Sequence, residues 1–435
     1  MVRRLHALSA RPSLPLWLLA ALCVVSLAAR AAWLGAPCRS PCRTASDHVL
    51  IFDEVYYVNA ARVIAGIRPP QGMPYSHSPL GVDPNAEHPQ LAKLVIAGSI
   101  ELFGDGPLAW RLGSLVLGTV AIVGMFALGR AAGLSRWGAL AGAALMAADN
   151  LMIVQGRIGT LDIYALAFMV WGAAAYLRGR PLIAGALIGV GACTKLVAAY
   201  LLAVVVLLEA LRWLGTRERW TGPARRLAGA IVSAGAVFLG LLAVLDRIAR
   251  PYDDAAGKLI AANPFAHLSH MISYAAHQTS PHGPRGIASY PWDWLVDYKP
   301  ITYLNVAPAH PAPGLYRLHP AVHFIGLISP PILLVALPAM ALAGWTALRR
   351  RSEPGREVAV VAVAWFVGTF LPFVLLSLVW QRTSYLYYML IVMPGLYLAA
   401  VWLLTRVRPR PRLFALWAVG VLVAAVIAYP LTPLP

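Results

Sequence analysis

The sequence Phe52-Asp53-Glu54-Val55-Tyr56-Tyr57 places two neighbouring carboxylates among aromatic and apolar side chains, after the first long hydrophobic segment. A second charged stretch, Glu87-His88-Pro89-Gln90-Leu91-Ala92-Lys93, precedes the next hydrophobic segment. Charged residues make up only 12% of this 435-residue chain, and hydrophobic residues make up 59%. Ionisable groups beside a membrane are costly unless they have a partner or a function. We therefore expect residues 35–107 to form an outer loop that carries a catalytic site.

The composition indicates a polytopic membrane protein. A mean hydropathy of +0.67 excludes an ordinary soluble domain. The formal net charge is +18, but the basic residues cluster in short loops between hydrophobic segments, as in Arg349–Arg351 and residues 406–412. The positive-inside rule produces this distribution, so the charge reports topology and does not indicate nucleic-acid binding.

Hydrophobic segments are separated by loops, several of which are basic, and this pattern predicts about 11 membrane crossings. The amino terminus is expected inside, with the first segment retained as an anchor, and the carboxyl terminus outside. The predicted crossing segments are residues 14–33, 108–128, 137–154, 160–177, 181–213, 227–245, 322–348, 358–380, 385–404 and 413–429.

Pro181–Trp213 contains a lone lysine, Lys195, in its middle. One helix of this length would span about 50 Å, whereas the bilayer core is about 30 Å thick. Both flanks are basic, which places both ends inside. The segment is therefore counted as two short crossings, with Lys195 at the outer turn.

The expected fold is an all-α membrane protein with a single domain, residues 1–435, and two large outer loops, residues 35–107 and 246–320. Helical spacing from Tyr56 to Ile67 predicts a short amphipathic helix on the membrane surface, with the acid pair at its first turn. A second short helix is expected from His88-Pro89 to Phe103.

Asp53 and Glu54 are candidate catalytic residues. Adjacent side chains in a helix point about 100° apart, so both cannot act on one atom. One can serve as general base while the other holds a second group or the scaffold. The alternative is a solvated pair without a catalytic role.

Several cationic residues are expected on the same face of the membrane as Asp53 and Glu54. Such residues suit an anionic group such as a phosphate. For each of them, an ordinary cation extending to the interface is the alternative, and Arg157 has the further alternative of pairing with Asp162. The candidate donor-binding residues, including that carboxylate, are His88, Lys93, Arg157, Asp162, Lys195 and Arg382.

No metal site is predicted. The second outer loop carries four histidines, but no carboxylate or cysteine completes a metal-ligand set with them. These histidines are His267, His270, His277 and His282.

Two other features of the outer loops leave alternatives open. Trp292, Trp294 and Tyr298 suit an interfacial aromatic belt, with a sugar-stacking platform as the alternative. Cys38 and Cys42 are able to form a disulfide in an oxidising compartment.

Three motifs, taken in order, resemble the protein O-mannosyltransferase group of GT-C glycosyltransferases, family 39. They are the acid pair in residues 52–57, the run His88–Lys93, and Gln155-Gly156-Arg157 followed by Leu161-Asp162-Ile163. The similarity is clearest over residues 50–200. One departure is Gln90, which stands where the family usually has a second proline.

The resemblance implies a polyprenyl-phosphate-linked sugar donor, with mannose first, used on the extracytoplasmic face of a bacterial plasma membrane without a cofactor or metal. It implies an inverting displacement with Asp53 as general base. Arg157 and Lys93, helped by Lys195, would contact the donor phosphate. The acceptor hydroxyl is left open among a protein Ser or Thr, a cell-wall glycan and a lipid.

Two other classes compete with a transferase. A transporter or flippase of a lipid-linked sugar would show internal repeats and broken helices in matched positions, and the sequence shows no such repeats. A non-catalytic membrane scaffold would have no use for the Asp53–Glu54 pair.

Overall fold

The computed structural model describes residues 13–38, 43–216, 220–306, 322–349 and 353–430. These residues form long apolar helices, because a helix satisfies its own backbone hydrogen bonds where no water is present. The α-helices are α1 Leu14–Ala31, α2 Glu54–Ile64, α3 Leu91–Phe103, α4 Pro107–Ala131, α5 Arg136–Ala148, α6 Asn150–Gln155, α7 Asp162–Leu177, α8 Pro181–Thr194, α9 Tyr200–Thr216, α10 Thr221–Ile248, α11 Pro264–His277, α12 Pro330–Arg349, α13 Arg356–Trp380, α14 Met389–Val407 and α15 Pro411–Ile427. The strands are β1 Val82–Asp83, β2 Arg250–Asp253, β3 Lys258–Leu259, β4 Ile301–Val306 and β5 Val322–Gly326.

Seven helices in the described ranges are long and apolar enough to cross a membrane, by length and composition. Five of them are α1, α4, α10, α12 and α13. The other two are α9 and α14, each taken together with the 3₁₀ turn that precedes it. Shorter apolar helices are α7, α8 and α15, and α5 with α6 fills the predicted segment 137–154. Every predicted crossing contains a helix, so the helical multi-pass architecture is confirmed, while the number of crossings stays a prediction.

The break at Lys195 is confirmed. Helix α8 ends at Thr194, a 3₁₀ turn occupies Leu196–Ala199, and α9 begins at Tyr200. Lys195 itself has an extended backbone and caps the end of α8. The stretch is thus two helices joined at a buried lysine.

Helices α8 and α10 approach each other closely through glycines. A methyl group at Gly185 would lie 2.3 Å from the Ala230 carbonyl oxygen, and one at Gly189 would lie 2.7 Å from the Ala234 carbonyl oxygen. The two glycines are four residues apart, so they share one face of α8. Small residues at this spacing let two apolar helices pack backbone against backbone.

The two predicted outer loops are joined to each other by strand pairing. Strand β1 of the first loop pairs in parallel with β2 of the second, and β3 pairs antiparallel with β2. Strands β4 and β5 form an antiparallel hairpin in which Ile301 pairs with Gly326. The all-α expectation missed these strands. Residues 322–326 belong to a strand, and the helix expected from Val322 begins at Pro330.

The two predicted loop helices exist, with corrections. Eight of the 11 residues of α2 are buried, so this helix packs into the protein and does not lie on its surface. Arg62 of α2 pairs with Asp105 at 3.0 Å and lies over the Trp110 ring. Helix α3 begins at Leu91, not at Pro89, because Gln90 occupies the capping position.

The glycine contact predicts a stability difference between two Gly→Ala substitutions. Gly189→Ala should lower the free energy of unfolding by about 1–3 kcal/mol, because the added methyl group overlaps α10. Gly240→Ala on α10 has open space around it, so it should be neutral or stabilise by about 0.5–1 kcal/mol through helix propensity. Unfolding of the purified variants in detergent measures both values. Equal effects of the two substitutions would contradict the close packing.

Candidate active site

The Glu54 carboxylate is the best-anchored group in the first outer loop. It is fully buried and accepts two hydrogen bonds from Arg111, Nε to Oε1 and Nη2 to Oε2, each 2.7 Å long. The backbone N–H groups of Ile51 and Gly159 donate to it at 2.8 and 2.7 Å. A bidentate guanidinium and two amides occupy both carboxylate oxygens. Glu54 therefore joins the start of α2 to α4 and to the turn before α7, and has no oxygen left for a substrate.

Asp53 is held between two fixed neighbours. Phe52 has a φ of +56°, which is uncommon for a bulky residue. Its ring is held by Tyr303 at 4.3 Å and by Tyr387 at 5.5 Å between ring centroids. With Phe52 on one side and Glu54 on the other, the backbone position of Asp53 is set. Within the described ranges, this carboxylate has no hydrogen-bond or ion-pair partner.

Asp162 and Lys195 form a buried ion pair beside Asp53. The Lys195 ammonium donates to both Asp162 oxygens at 2.8 and 2.7 Å. It also lies 5.3 and 5.5 Å from the ring centroids of Tyr387 and Tyr388. Asp162 therefore pairs with Lys195, which answers the alternative that it pairs with Arg157. The charges of both partners act on Asp53.

A cavity of about 400 Å³ opens next to this ion pair. Its polar wall contains His88, Lys195 and Arg382, which the sequence predicted, together with Glu87 and Tyr388, which it did not assign. Arg382 is held by a hydrogen bond from Nη1 to the Ala275 carbonyl. Its apolar wall contains Leu196, Val197, Phe373, Leu376 and Trp380. One cavity is thus lined by both cations and hydrocarbon side chains.

Burial and the neighbouring charges set the protonation of the site. Burial raises the pKa of the Asp53 carboxyl to about 7, while the Lys195 ammonium lowers it and Asp162 raises it. Burial lowers the pKa of the His88 imidazole well below its usual range, and Lys195, Lys93 and Arg382 lower it further. Asp53 therefore gains and loses a proton near neutral pH, while His88 stays uncharged.

Two predicted cations lie away from the cavity. The Lys93 ammonium is fully buried and donates to Asp83 Oδ2 at 2.6 Å and to the His88 carbonyl at 2.8 Å. Arg157 donates to the Ala32 carbonyl at 2.8 Å and lies 5.4 Å from the Phe324 ring centroid. Lys93 fixes the backbone of the His88 turn, and Arg157 supports α1 and the β4–β5 hairpin. Their contacts suit positioning better than substrate binding.

His267 binds the second outer loop to the first. Its Nδ1 lies 2.7 Å from Asp246 Oδ1, and its Nε2 lies 2.9 Å from the Ala86 carbonyl oxygen, just before Glu87. Gln90 also donates to Asp246 at 2.8 Å. The histidine fixes the loop that carries His88, and the described residues contain no cluster of three or more metal-ligating side chains.

The structure bears on two further sequence predictions. Trp294 is fully buried and packs against Phe373 at 5.7 Å and Tyr388 at 6.2 Å, so it lies behind the cavity and not in an interfacial belt. Trp292 and Tyr298 are exposed, and both alternatives stay predictions for them. Cys38 is disulfide-bonded. Its expected partner, Cys42, lies outside the described residues.

Sequence reasoning missed Arg111, Glu87 and Tyr388. Arg111 sits inside a predicted crossing, and an arginine there is a signal of a buried partner. Glu87 stands beside His88 in the quoted motif. Tyr388 carried no signal, because an aromatic residue near the end of a membrane helix is ordinary.

Comparison with known proteins finds a matching family model and similar sequences. A family model described as dolichyl-phosphate-mannose-protein mannosyltransferase matches residues 87–240. A Corynebacterium glutamicum protein named polyprenol-phosphate-mannose--protein mannosyltransferase is 24% identical over 403 residues, which cover 79% of this chain and 75% of that protein. The family match begins at Glu87, so it overlaps the predicted region of resemblance without including Asp53.

Solved structures show the same fold. The Saccharomyces cerevisiae protein O-mannosyltransferase Pmt1-Pmt2 complex bound to the sugar donor matches with a TM-score of 0.68 at 12% identity, over 95% of this chain and 89% of that one. ArnT from Cupriavidus metallidurans bound to undecaprenyl phosphate matches with a TM-score of 0.52 at 20% identity, over 94% of this chain and 63% of that one. The predicted resemblance, the GT-C fold and the glycosyltransferase class are confirmed.

The two adjacent acids should differ in their effect on stability. Glu54→Gln leaves Arg111 buried without its countercharge and should lower the free energy of unfolding by about 3–5 kcal/mol. For Asp53, the raised pKa means that the stability contributed by its protonated form is present at low pH and is lost as the pH rises towards 7. Asp53→Asn should therefore unfold at the same temperature as wild type or higher when measured above pH 7. Thermal unfolding in detergent compares them, and an unstable Asp53→Asn variant would contradict this division of roles.

Proposed function

We propose that this GT-C glycosyltransferase, which resembles the protein O-mannosyltransferases, transfers mannose from a polyprenyl-phosphate donor to a protein hydroxyl. The reaction takes place on the extracytoplasmic face of a bacterial plasma membrane and inverts the anomeric carbon. The donor and acceptor are those named for the Corynebacterium relative. The proposed site combines Asp53 and His88 of the first outer loop with Lys195 and Arg382, which lie at helix ends.

The observation that carries the proposal is the state of Asp53. Asp162 is paired with Lys195, and Glu87, the described carboxylate that lines the cavity, is hydrogen-bonded to Asn85. Asp53 has no partner within the described ranges and a pKa near 7 raised by burial. A general base must be free to accept a proton and must have a pKa near the working pH. Asp53 meets both conditions, whereas Glu54 is not free to accept a proton because its oxygens are occupied by hydrogen bonds.

The cavity suits the two chemical parts of a lipid-phosphate donor. Lys195 and Arg382 supply positive charge for the phosphate, and uncharged His88 of the first loop lines the same cavity. The apolar wall from Phe373 to Trp380 continues along α13, whose end carries exposed apolar side chains. This arrangement suits a phosphate at the polar end and the first isoprene units along α13.

In the proposed reaction, Asp53 takes the proton of the acceptor hydroxyl as its oxygen attacks the anomeric carbon. The bond between that carbon and the phosphate oxygen breaks, and polyprenyl phosphate leaves with the electron pair. Lys195 and Arg382 stabilise the growing negative charge on the phosphate, which is the largest electrostatic demand of the step. Asp162 keeps the Lys195 ammonium in place, while Glu54, Lys93 and Arg157 position the surrounding backbone. Protonated Asp53 then releases its proton to water.

Asp53→Asn should reduce transfer by about 10²–10⁴-fold, because it removes the base and keeps the shape. The assay is transfer of radiolabelled mannose from polyprenyl-phosphate-mannose to a Ser/Thr-containing acceptor peptide by the full chain in vesicles. In wild type, kcat/KM should rise with pH and level off above about 7, because the base must be ionised. Full activity of Asp53→Asn, or a flat profile between pH 5 and 7 with unchanged donor binding, would contradict the assignment.

Arg382→Gln should raise the KM for the donor by roughly tenfold or more, because a charge-assisted contact to the phosphate is lost. Arg382→Lys should recover part of this loss, since it restores the charge without the second N–H. The matched control is Arg247→Gln, since within the described residues exposed Arg247 bonds only to a carbonyl of its own helix. A donor KM that changes equally in Arg382→Gln and Arg247→Gln would place the phosphate elsewhere.

A further inference from the structure

A second polar cavity, of about 380 Å³, lies among helix ends away from the candidate active site. We call it the arginine pocket, after Arg212, Arg226 and Arg356 in its lining. Glu209 and Glu357 are the carboxylates that also line it. Three guanidinium groups face two carboxylates, so the lining keeps a net positive charge.

Three helices place this pocket at the opposite end of the protein from Asp53. Helix α7 begins at Asp162 in the active site and reaches the pocket at Tyr176, about 20 Å further along its axis. Helix α9 runs from Tyr200, in the active-site cavity, to Glu209 and Arg212. Helix α13 starts with Arg356 at the pocket and ends with Trp380 at the active-site cavity. The pocket is therefore separate from the catalytic site.

Buried contacts hold the pocket in shape. The side chain of Glu209 is fully buried and accepts hydrogen bonds from Tyr176 at 2.9 Å and from Arg226 Nε and Nη2 at 3.1 and 2.8 Å. Arg212 bridges Glu209 and Glu357. The Arg226 side chain is 41% exposed, and its hydrogen bonds to Glu209 use Nε and Nη2, not Nη1. Glu209 thus orients a guanidinium whose second face is turned outward.

Two tryptophans indicate the level of the pocket in the membrane. Trp213 lines it, and Trp220 meets Trp213 edge to face at 5.9 Å between ring centroids. Both rings are partly exposed. Tryptophan is enriched at the level of lipid headgroups, where one part of the ring is in contact with hydrocarbon and the other with water. A basic pocket between membrane helices at this level suits the headgroup of an anionic lipid.

We propose that the arginine pocket binds the phosphate headgroup of an anionic membrane lipid, in the leaflet opposite to the candidate active site. Arg226 donates to the phosphate through Nη1, Arg212 and Arg356 add charge, and Glu209 fixes the geometry. The site is independent of the transfer reaction, so it stands or falls separately from the proposed function.

The test is lipid binding by the full chain, purified and delipidated in detergent. Phosphatidylglycerol should raise the unfolding temperature of wild type, whereas phosphatidylcholine and millimolar inorganic phosphate should not. Arg226→Gln should weaken phosphatidylglycerol binding about tenfold or more through loss of a charge-assisted hydrogen bond. Arg225→Gln is the matched control, because exposed Arg225 is the adjacent residue, carries the same charge and is outside the pocket lining.

Equal lipid binding by Arg226→Gln and Arg225→Gln would overturn the proposal, and so would equal protection by phosphatidylcholine or by inorganic phosphate alone. If Arg226→Gln does not fold, the double variant Glu209→Gln/Arg226→Gln decides the question, since it removes the buried carboxylate together with its partner. Retained phosphatidylglycerol binding in the double variant would also overturn the site.

Discussion

The region around the candidate active site depends on one buried carboxylate. Glu54 binds Arg111 of α4 and the backbone N–H groups of Ile51 and Gly159, so a single side chain joins three segments that are far apart in sequence. Removing one partner of such a buried pair costs far more than an exposed ion pair contributes, because the remaining charge is left without solvent. The position of Asp53 is a consequence, because Asp53 precedes this fixed residue in the chain.

The properties of the candidate site depend on which of its charged side chains have a partner and which do not. Buried pairs occupy Glu54 with Arg111, Lys93 with Asp83, and Asp246 with His267, and each pair fixes a piece of backbone around the cavity. Asp162 occupies Lys195, but leaves that lysine on the cavity wall. In the proposed reaction, Asp53 would supply the base and the cations of the cavity would bind the phosphate. The two groups are able to act in one site because Lys195 already has Asp162 as its ion-pair partner.

The same helices carry polar groups at both ends and apolar residues between them. In α7, α9 and α13, one end meets the candidate active site and the other meets the arginine pocket. A helix that crosses hydrocarbon keeps its ionisable residues near its ends, where partners or water are available. The close α8–α10 packing at Gly185 and Gly189 belongs to the apolar middle, where contact depends on backbone proximity and not on charge. The candidate active site and the arginine pocket therefore lie at the ends of these helices.

The sequence by itself determined the apolar helices, the break at Lys195 and the candidate base, because hydrophobic length, basic flanks and the Asp53–Glu54 pair are local patterns. It also identified most cavity-facing ionisable residues, among them His88 and Arg382. Only the tertiary structure decided which charges are paired. Glu54 pairs with Arg111, and Asp162 pairs with Lys195, across long sequence separations, and Lys93 pairs with Asp83. The β strands of the outer loops were likewise hidden, since short strands form through partners elsewhere in the chain. A residue type fixes the chemistry a side chain is capable of, but its role depends on which partner the fold brings within hydrogen-bond distance.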